Sequence, residues 1–308
     1  MRTNKKYSLM LFAISFFCLS GLINLYAAEE DKFKDVVIKT IEVGDGIYML
    51  MGKGGNIGVS VGEDGVFLID DQYAPLTGKI KAAVAKISDQ PIKFVINTHW
   101  HNDHSGGNEN LGKENVLIVA HDNVYKRMSV ESHIKAFGAT VPASPKEALP
   151  IITFRDRVIF RLNGHEIGIL HTSNAHTDGD SLIKFMGSNI VHTGDVWFNG
   201  LYPFIDTSSE GSLDGMIKAA EFILGKVDDE TKIIPGHGPL GNKKQLQASL
   251  KMLTTVRSRM QKLIDEGKSI EEIIVLKPYA DYDETHGKAF LKPESFMRII
   301  HDSLTRKN

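Results

Sequence analysis

Residues 98–107 read THWHNDHSGG and follow directly on the apolar run Ile92–Ile96. Within six positions this stretch contains His99, His101, Asp103 and His104. Imidazole and carboxylate groups are the usual ligands of zinc-like ions. Their spacing is tighter than the i, i+4 spacing of a helical metal motif, so we expect them to lie in a turn. The Gly-Gly pair that ends the stretch permits the backbone angles of such a turn.

The chain around this stretch divides into two halves, each with short apolar strands followed by helices. In the first half we expect strands at Thr40–Val43, Ile47–Met51, Ile57–Val61, Val66–Ile69, Ile92–Ile96 and Val116–Ala120. In the second half we expect them at Val158–Leu162, Glu166–Leu170, Leu182–Phe185, Ile190–Thr193 and Ile233–Ile234. Apolar residues at helical spacing predict helices over about 80–87, 213–223 and 246–263. This order predicts one α/β domain over 35–308, including C-terminal helices within 243–308, with two packed sheets and helices outside.

Residues 1–27 differ in character from the rest of the chain. Three basic residues precede an apolar run, and small residues end it before an acidic start, which is the pattern of a secretory signal. We expect cleavage after Ala27 and a periplasmic or secreted protein without stable membrane insertion; an uncleaved N-terminal anchor is the alternative. Cleavage would remove Cys18, the only cysteine, and change the formal charge from −2 to −5. An acidic chain argues against nucleic-acid binding and favours a small-molecule substrate.

The 98–107 stretch resembles the metal-binding signature of the metallo-β-lactamase superfamily. The rest of that family's ligand pattern follows in order: His176 in AHTDGD, Asp195 in HTGD and His237 in PGHG. The resemblance covers about residues 38–240 and implies an αβ/βα four-layer sandwich. It also implies one ion on His99, His101 and His176, a second on Asp103, His104 and His237, and Asp195 bridging the two.

Hydrolysis is the reaction that this ligand set implies. Two divalent ions, for which zinc is our first expectation, can lower the pKa of a shared water to about 7. Asp103 would orient the resulting hydroxide and take up its proton. The expected substrate is an ester, thioester, lactone or cyclic amide of a small molecule.

Three other functions remain open. The mature chain would lack the cysteine ligand that some metallo-β-lactamases use. The remaining lactamase subclass lacks a bridging acid, which this chain has in Asp195. An exported enzyme of this fold could still cleave β-lactams. A mononuclear-iron oxygenase acting on persulfides or thiols uses a similar row of ligands. A non-catalytic binding module is the third alternative, although no ligand position is lost.

Five further residues are candidates for supporting the metals or contacting substrate. They are Asp70, Trp100, His192, Trp197 and Tyr202. Asp70 ends a strand where the family often has an acid behind the metals. His192 could line the site or pack within its strand. The aromatic residues could form an apolar wall, or they could be ordinary core residues.

Overall fold

The computed structural model describes residues 32–306. The chain divides into two compact units, Met1–Val37 and Ile38–Asn308. Only residues 32–37 of the first unit are described, so the predicted signal at 1–27 and its cleavage site lie outside the described part. Among the helices of the described residues, none is both long and apolar enough to span a bilayer.

The predicted strands and helices occur in the second unit in the predicted order, with further short elements between them. The strands are β1 (Lys39–Gly44), β2 (Ile47–Met51), β3 (Ile57–Gly62), β4 (Gly65–Ile69), β5 (Ile92–Ile96), β6 (Leu117–His121), β7 (Ser132–Ile134), β8 (Ala139–Val141), β9 (Ile152–Phe154), β10 (Arg157–Leu162), β11 (His165–His171), β12 (Ser181–Met186), β13 (Ile190–His192), β14 (Lys232–Ile234) and β15 (Gly241–Asn242). The helices are α1 (Thr77–Val84), α2 (Asn102–Ser105), α3 (Asn108–Lys113), α4 (Asp122–Met128), α5 (Leu213–Leu224), α6 (Lys243–Asp265), α7 (Ile270–Leu276), α8 (Ala280–His286) and α9 (Pro293–Thr305).

Thirteen of the strands form two sheets. One has seven strands in the order β1-β2-β3-β4-β5-β6-β9, and the other has six in the order β10-β11-β12-β13-β14-β15. A separate two-stranded hairpin consists of β7 and β8. In the seven-stranded sheet the pairs β4–β5, β5–β6 and β6–β9 are parallel, which places the segment after β5 beside the segments after β4 and β6.

The two sheets pack face to face around an apolar core. Ile69 and Ile96 of the first sheet lie in one buried cluster with Ile169 and Phe185 of the second. Helices α3 and α4 contact β6 on the outer side of the first sheet. The outer side of the second sheet shares a larger cluster with the helices that follow it, in which Val191 and Ile233 pack with residues such as Met216 and Val256. The expected four-layer αβ/βα sandwich is therefore confirmed.

Local sequence signals account for several helix starts. Ser212 is the N-cap residue of α5, and its Oγ accepts a hydrogen bond from the backbone N–H of Gly215. Ser269 and Glu272 form a capping box at the start of α7. The hairpin β7–β8, the short strand β9 and helix α9 were not predicted.

Strand direction brings the predicted ligand segments together. Strand β12 runs antiparallel to both β11 and β13, and β14 runs parallel to β13, so β11, β13 and β14 share one direction. Their carboxyl ends therefore lie at one edge of the second sheet. The segments that leave this edge carry His176, Asp195 and His237.

Candidate metal centre

The first group of candidate ligands is His99, His101 and His176. One nitrogen of each ring lies within 4.8 Å of the others. Nδ1 of His101 is 2.9 Å from Nε2 of His176. All three side chains are buried. The structure thus brings together the three residues assigned to one ion.

The second group is Asp103, His104 and His237, whose ligand atoms also lie within 4.8 Å of one another. Nε2 of His237 is 3.2 Å from Oδ2 of Asp103 and 3.3 Å from Nε2 of His104. His104 is fully buried, whereas Asp103 and His237 are partly exposed toward a cleft. These are the residues assigned to the second ion.

Asp195 lies between the two groups. Its Oδ1 is 3.0 Å from Nε2 of His104, and its Oδ2 is 3.5 Å from Nε2 of His176. Oδ2 is also 3.4 Å from Nε2 of His237 and 3.9 Å from Nε2 of His99. One carboxylate therefore reaches nitrogens of both groups, as a bridging ligand must.

The chemistry of this cluster fits metal ions. Ring nitrogens that could accept hydrogen bonds face one another across 2.9 Å and 3.3 Å, an arrangement that is unfavourable unless a proton or a cation lies between them. Nε2 of His99 is buried and makes no hydrogen bond within the described part of the chain. Burying an unpaired polar atom costs free energy, which a coordinated cation would remove.

The outer nitrogens of these rings are fixed by protein acceptors. Nδ1 of His104 donates to Oδ2 of Asp70 at 2.7 Å. Nδ1 of His176 donates to the backbone oxygen of Phe204 at 2.8 Å. Such bonds set the tautomer, leaving the other nitrogen unprotonated and aimed at the centre.

Asp70 holds more than one element of the site. Its Oδ1 accepts the backbone N–H of Thr98, and its Oδ2 accepts the Thr98 hydroxyl. Because that hydroxyl gives its proton to Asp70, its oxygen accepts from Nδ1 of His99, 3.0 Å away. Asp70 adopts a left-handed backbone conformation, with φ at 64°, which is uncommon outside glycine. The structure places Asp70 behind the ligands, where the sequence had suggested it.

Asp206 is a supporting residue that the sequence analysis missed. Its Oδ2 is 3.0 Å from Nε2 of His101, so Nδ1 of that ring faces the first group. The carboxylate also accepts the backbone N–H groups of Ser208 and Ser209, which fix its orientation. Its segment carries no recognisable motif, and only the observation that each ligand histidine needs an acceptor would have indicated it.

The pKa values of the clustered side chains shift in different directions. Burial and neighbouring rings, His104 first, lower the pKa of His99 well below its usual range. Burial also lowers the pKa of His176, to about 4. Burial opposes charge on Asp103 and on His237 as well. The ion pairs outweigh it, so the pKa of Asp103 falls to about 2 and that of His237 rises to about 9.

Two glycines allow the ligands to approach the backbone. A Cβ on Gly55 would lie 2.0 Å from Cε1 of His104, and a Cβ on Gly236 would lie 2.0 Å from Oδ1 of Asp195. A residue larger than glycine at position 55 would displace the His104 ring, and one at position 236 would displace the Asp195 carboxylate.

Four of the supporting candidates lie away from the ligand atoms. Both ring nitrogens of His192 contact backbone, at Asn56 and Gly194, so neither faces the cluster. Trp100 is buried behind His101, and its indole N–H donates to Ser209. His192 and Trp100 are both buried, which matches packing within the core and not contact with a substrate.

Trp197 and Tyr202 are also core residues. The Trp197 indole N–H donates to Oγ of Ser249 in α6 at 2.9 Å. The Tyr202 hydroxyl donates to Asp283 of α8, and its ring stacks on Phe296 of α9. The proposed aromatic wall is therefore wrong for these two residues, because their loop turns both side chains inward onto the C-terminal helices.

The cleft above the ligands has a volume of about 450 Å³. Besides the ligands, it is lined by Lys53, Tyr73, Ile134, Phe137, Phe204 and Phe290 among others. Burial, followed by the charges of Asp103 and Asp195, raises the pKa of Tyr73 above its usual range, so its phenol stays protonated. The cleft thus combines a carboxylate, a phenol and an ammonium group with an apolar lining.

The comparisons with known proteins agree with this geometry. Over 199 residues the chain is 28% identical to a probable hydroxyacylglutathione hydrolase, glo2, of Schizosaccharomyces pombe, covering 62% of this chain and 64% of that one. A second probable hydroxyacylglutathione hydrolase of the same organism is 30% identical over 47% of this chain and 48% of its own length. The chain thus spans less than two thirds of the length of these curated relatives.

A solved metallo-β-lactamase from Pontibacter korlensis superposes with a TM-score of 0.58 at 18% identity, covering 70% of this chain and 99% of that one. At this identity the likeness concerns the fold alone. The family model described as the metallo-β-lactamase superfamily matches residues 51–263, which include all seven candidate ligands. The chain therefore belongs to the metallo-β-lactamase superfamily.

Proposed function

We propose that this protein is an exported, dinuclear metal-dependent hydrolase that cleaves an ester, thioester, lactone or cyclic amide bond of a small molecule. The observation that carries the proposal is the position of Asp195, whose carboxylate reaches nitrogens of both ligand groups. The likeness to two probable hydroxyacylglutathione hydrolases supports a hydrolytic reaction.

The first group would hold one divalent ion and the second group the other, with zinc the expected metal because the ligands are imidazoles and carboxylates. When bound, two such ions polarise a substrate oxygen and make water acidic enough to supply hydroxide near neutral pH. The chain's own contribution is to fix the ligand rings through Asp70, Asp206 and the Phe204 carbonyl.

Asp103 is the residue that we assign to proton transfer. Its carboxylate lines the cleft and is the partly exposed acid of the cluster. With its pKa at about 2 it is ionised at neutral pH and can accept a proton from water at a carboxylate oxygen. Tyr73, on the cleft wall and protonated, can donate a hydrogen bond to a substrate oxygen.

Export is proposed from the sequence of residues 1–27 alone. The intact mass of the protein recovered from the periplasm or the medium tests it. We expect a mature chain that begins at Ala28; a full-length product in the cytoplasm would contradict export without touching the proposed reaction.

Metal content and activity test the reaction. We expect about two ions per chain and zinc-dependent hydrolysis of at least one member of a panel containing a β-lactam, a lactone, a thioester and a phosphodiester. The Asp103→Asn variant should lose at least about 100-fold in kcat while keeping its fold. One iron per chain would favour the oxygenase alternative, no bound metal would favour a binding module, and full activity in Asp103→Asn would overturn the assigned mechanism.

A further inference from the structure

Phenylalanine side chains lie on both sides of the candidate metal centre. Phe204 packs against ligands of the first group, with its ring centroid 5.7 Å from that of His101 and 5.6 Å from that of His176. Phe290 lies on the opposite side, 6.2 Å from the His237 ring. A molecule held at the ligands would therefore meet an aromatic surface in either direction.

Phe137 extends this surface outward. It lies in the turn of the β7–β8 hairpin, and its ring is 4.7 Å from that of Phe204. Phe137 and Phe290 are 52% and 57% exposed, although both line the cleft. Large apolar side chains exposed around a concave site commonly mark a ligand surface.

The hairpin that carries Phe137 is anchored to the body of the protein. The backbone N–H of Lys135 donates to Oγ of Ser208, and its ammonium group pairs with Asp302 of α9 at 2.6 Å. Asp302 in turn accepts the hydroxyl of Thr207. The turn is thus tied to the segment that holds Phe204 and to the last helix, so the aromatic surface is formed before a ligand arrives.

The cleft has few lysine or arginine side chains with which to pair a substrate carboxylate. Among the described residues that line it, Lys53 is the only lysine or arginine. A glutathione thioester presents two carboxylates, and beside the candidate ligands this cleft offers them one ammonium group and several aromatic rings. Burying charged groups without partners is unfavourable, whereas apolar groups gain from such a surface.

We propose that Phe137, Phe204 and Phe290 make this cleft selective for substrates with an uncharged apolar group, aryl or medium-chain alkyl, next to the scissile bond, in preference to glutathione thioesters. The inference rests on the proposed hydrolytic function and names its substrate class. The apolar group lies along Phe204 toward Phe137 or beside Phe290, and the scissile bond lies at the ligands.

Binding of straight-chain carboxylates tests the inference without any turnover. The Kd of acetate through octanoate is measured on the zinc-loaded protein, because these acids are the products that alkyl esters and thioesters would release. We expect affinity to rise about fourfold per added methylene until the cleft is filled. In Phe137→Ala and Phe290→Ala the gain should fall to about twofold, and in Phe222→Ala, an exposed residue of α5 outside the cleft, it should be unchanged.

Hydrolysis separates this inference from the proposed function. We expect kcat/KM for an octanoyl thioester of uncharged N-acetylcysteamine to exceed that of octanoyl-glutathione by at least about tenfold. A flat carboxylate series, or an equal gain in the wild type and the two alanine variants, overturns the inference even if hydrolysis proceeds. A steep series in a protein that hydrolyses nothing supports the inference and contradicts the proposed function.

Discussion

The carboxylate of Asp206 lies 3.0 Å from Nε2 of His101, and both side chains are buried although 105 positions separate them in the chain. The pKa of Asp206 is lowered despite burial, because His101, Ser208 and Ser209 donate hydrogen bonds to it. An ionised acceptor at this place holds the ring so that Nδ1 points to the first ligand group. Asp206 is a positioning residue for that group.

Replacing Asp206 should weaken the first ion. Asp206→Ala removes the acceptor, and we expect a 10- to 100-fold loss of affinity for one of two zinc ions, since loss of such a partner has that order of effect. Titration against a competing chelator measures it. Asp214→Ala, which removes an exposed acid of α5 paired with Arg257, is the control and should leave both affinities unchanged.

Two substitutions at Asp70 should separate its charge from its backbone conformation. Asparagine tolerates the left-handed region that Asp70 occupies, whereas alanine costs about 1–2 kcal/mol there. We therefore expect both variants to lose affinity for the ion bound by His104. Both variants should also lower the free energy of unfolding of the metal-free protein, because both lose acceptor oxygens for Thr98 and His104. In urea denaturation, Asp70→Ala should be less stable than Asp70→Asn by at least about 1–2 kcal/mol.

Gly55→Ala should destroy the second group, because the new Cβ would lie 2.0 Å from the His104 ring. We expect one bound ion per chain and loss of hydrolysis. Gly78→Ala is the matched control, since nothing lies within 4 Å of a Cβ there and the residue is in helix α1. That control should gain roughly 0.5–1 kcal/mol in stability. Two ions and full activity in Gly55→Ala would contradict the placement of the His104 ring.

The metal-free protein should lose stability between about pH 6.5 and 9. The folded-state pKa of His237 is about 9, above its unfolded value, so its stabilising contribution is complete below the unfolded pKa and disappears as pH rises through 9. Denaturation after chelation, at pH 6 and pH 9, measures the difference. His237→Gln should flatten it. With zinc present the trend should reverse, because ligand histidines must be deprotonated to bind.

Trp197→Phe should affect stability and leave catalysis alone. The substitution removes the indole N–H that donates to Ser249 and leaves that buried hydroxyl unpaired, which costs about 1–3 kcal/mol. Thermal unfolding should shift downward while KM stays within twofold of the wild-type value. A large change in KM would contradict the core position and indicate that Trp197 contacts the substrate.

The grouping of the candidate ligands could be predicted from the sequence because their signals are local. Each of the segments containing His99, His176, Asp195 and His237 follows an apolar strand. The first of these strands belongs to the seven-stranded sheet and the other three to the six-stranded sheet, and their carboxyl ends meet in space. The supporting residues carried no such signal. Asp206 stands alone in a loop, and only the tertiary fold brings it to His101.

The sequence left the place of the aromatic residues open for the same reason. Trp197 and Tyr202 are close to ligands along the chain and point into the core. Phe137 and Phe290 are remote from every ligand motif, and the hairpin and the segment before α9 carry them to the cleft. Residues close to a ligand in sequence can therefore lie far from the cleft, because the conformation of the loop sets the direction of each side chain.

The ligands also come from both halves of the molecule. His104 and His237 face each other across 3.3 Å but stand 133 positions apart in the chain. An ion bound by both residues would therefore link the two sheets, and it could bind only after both halves had been translated and had docked. Binding of the second ion would then require that the whole chain has folded. A fragment ending before His237 would not retain that ion, even if its first half had folded.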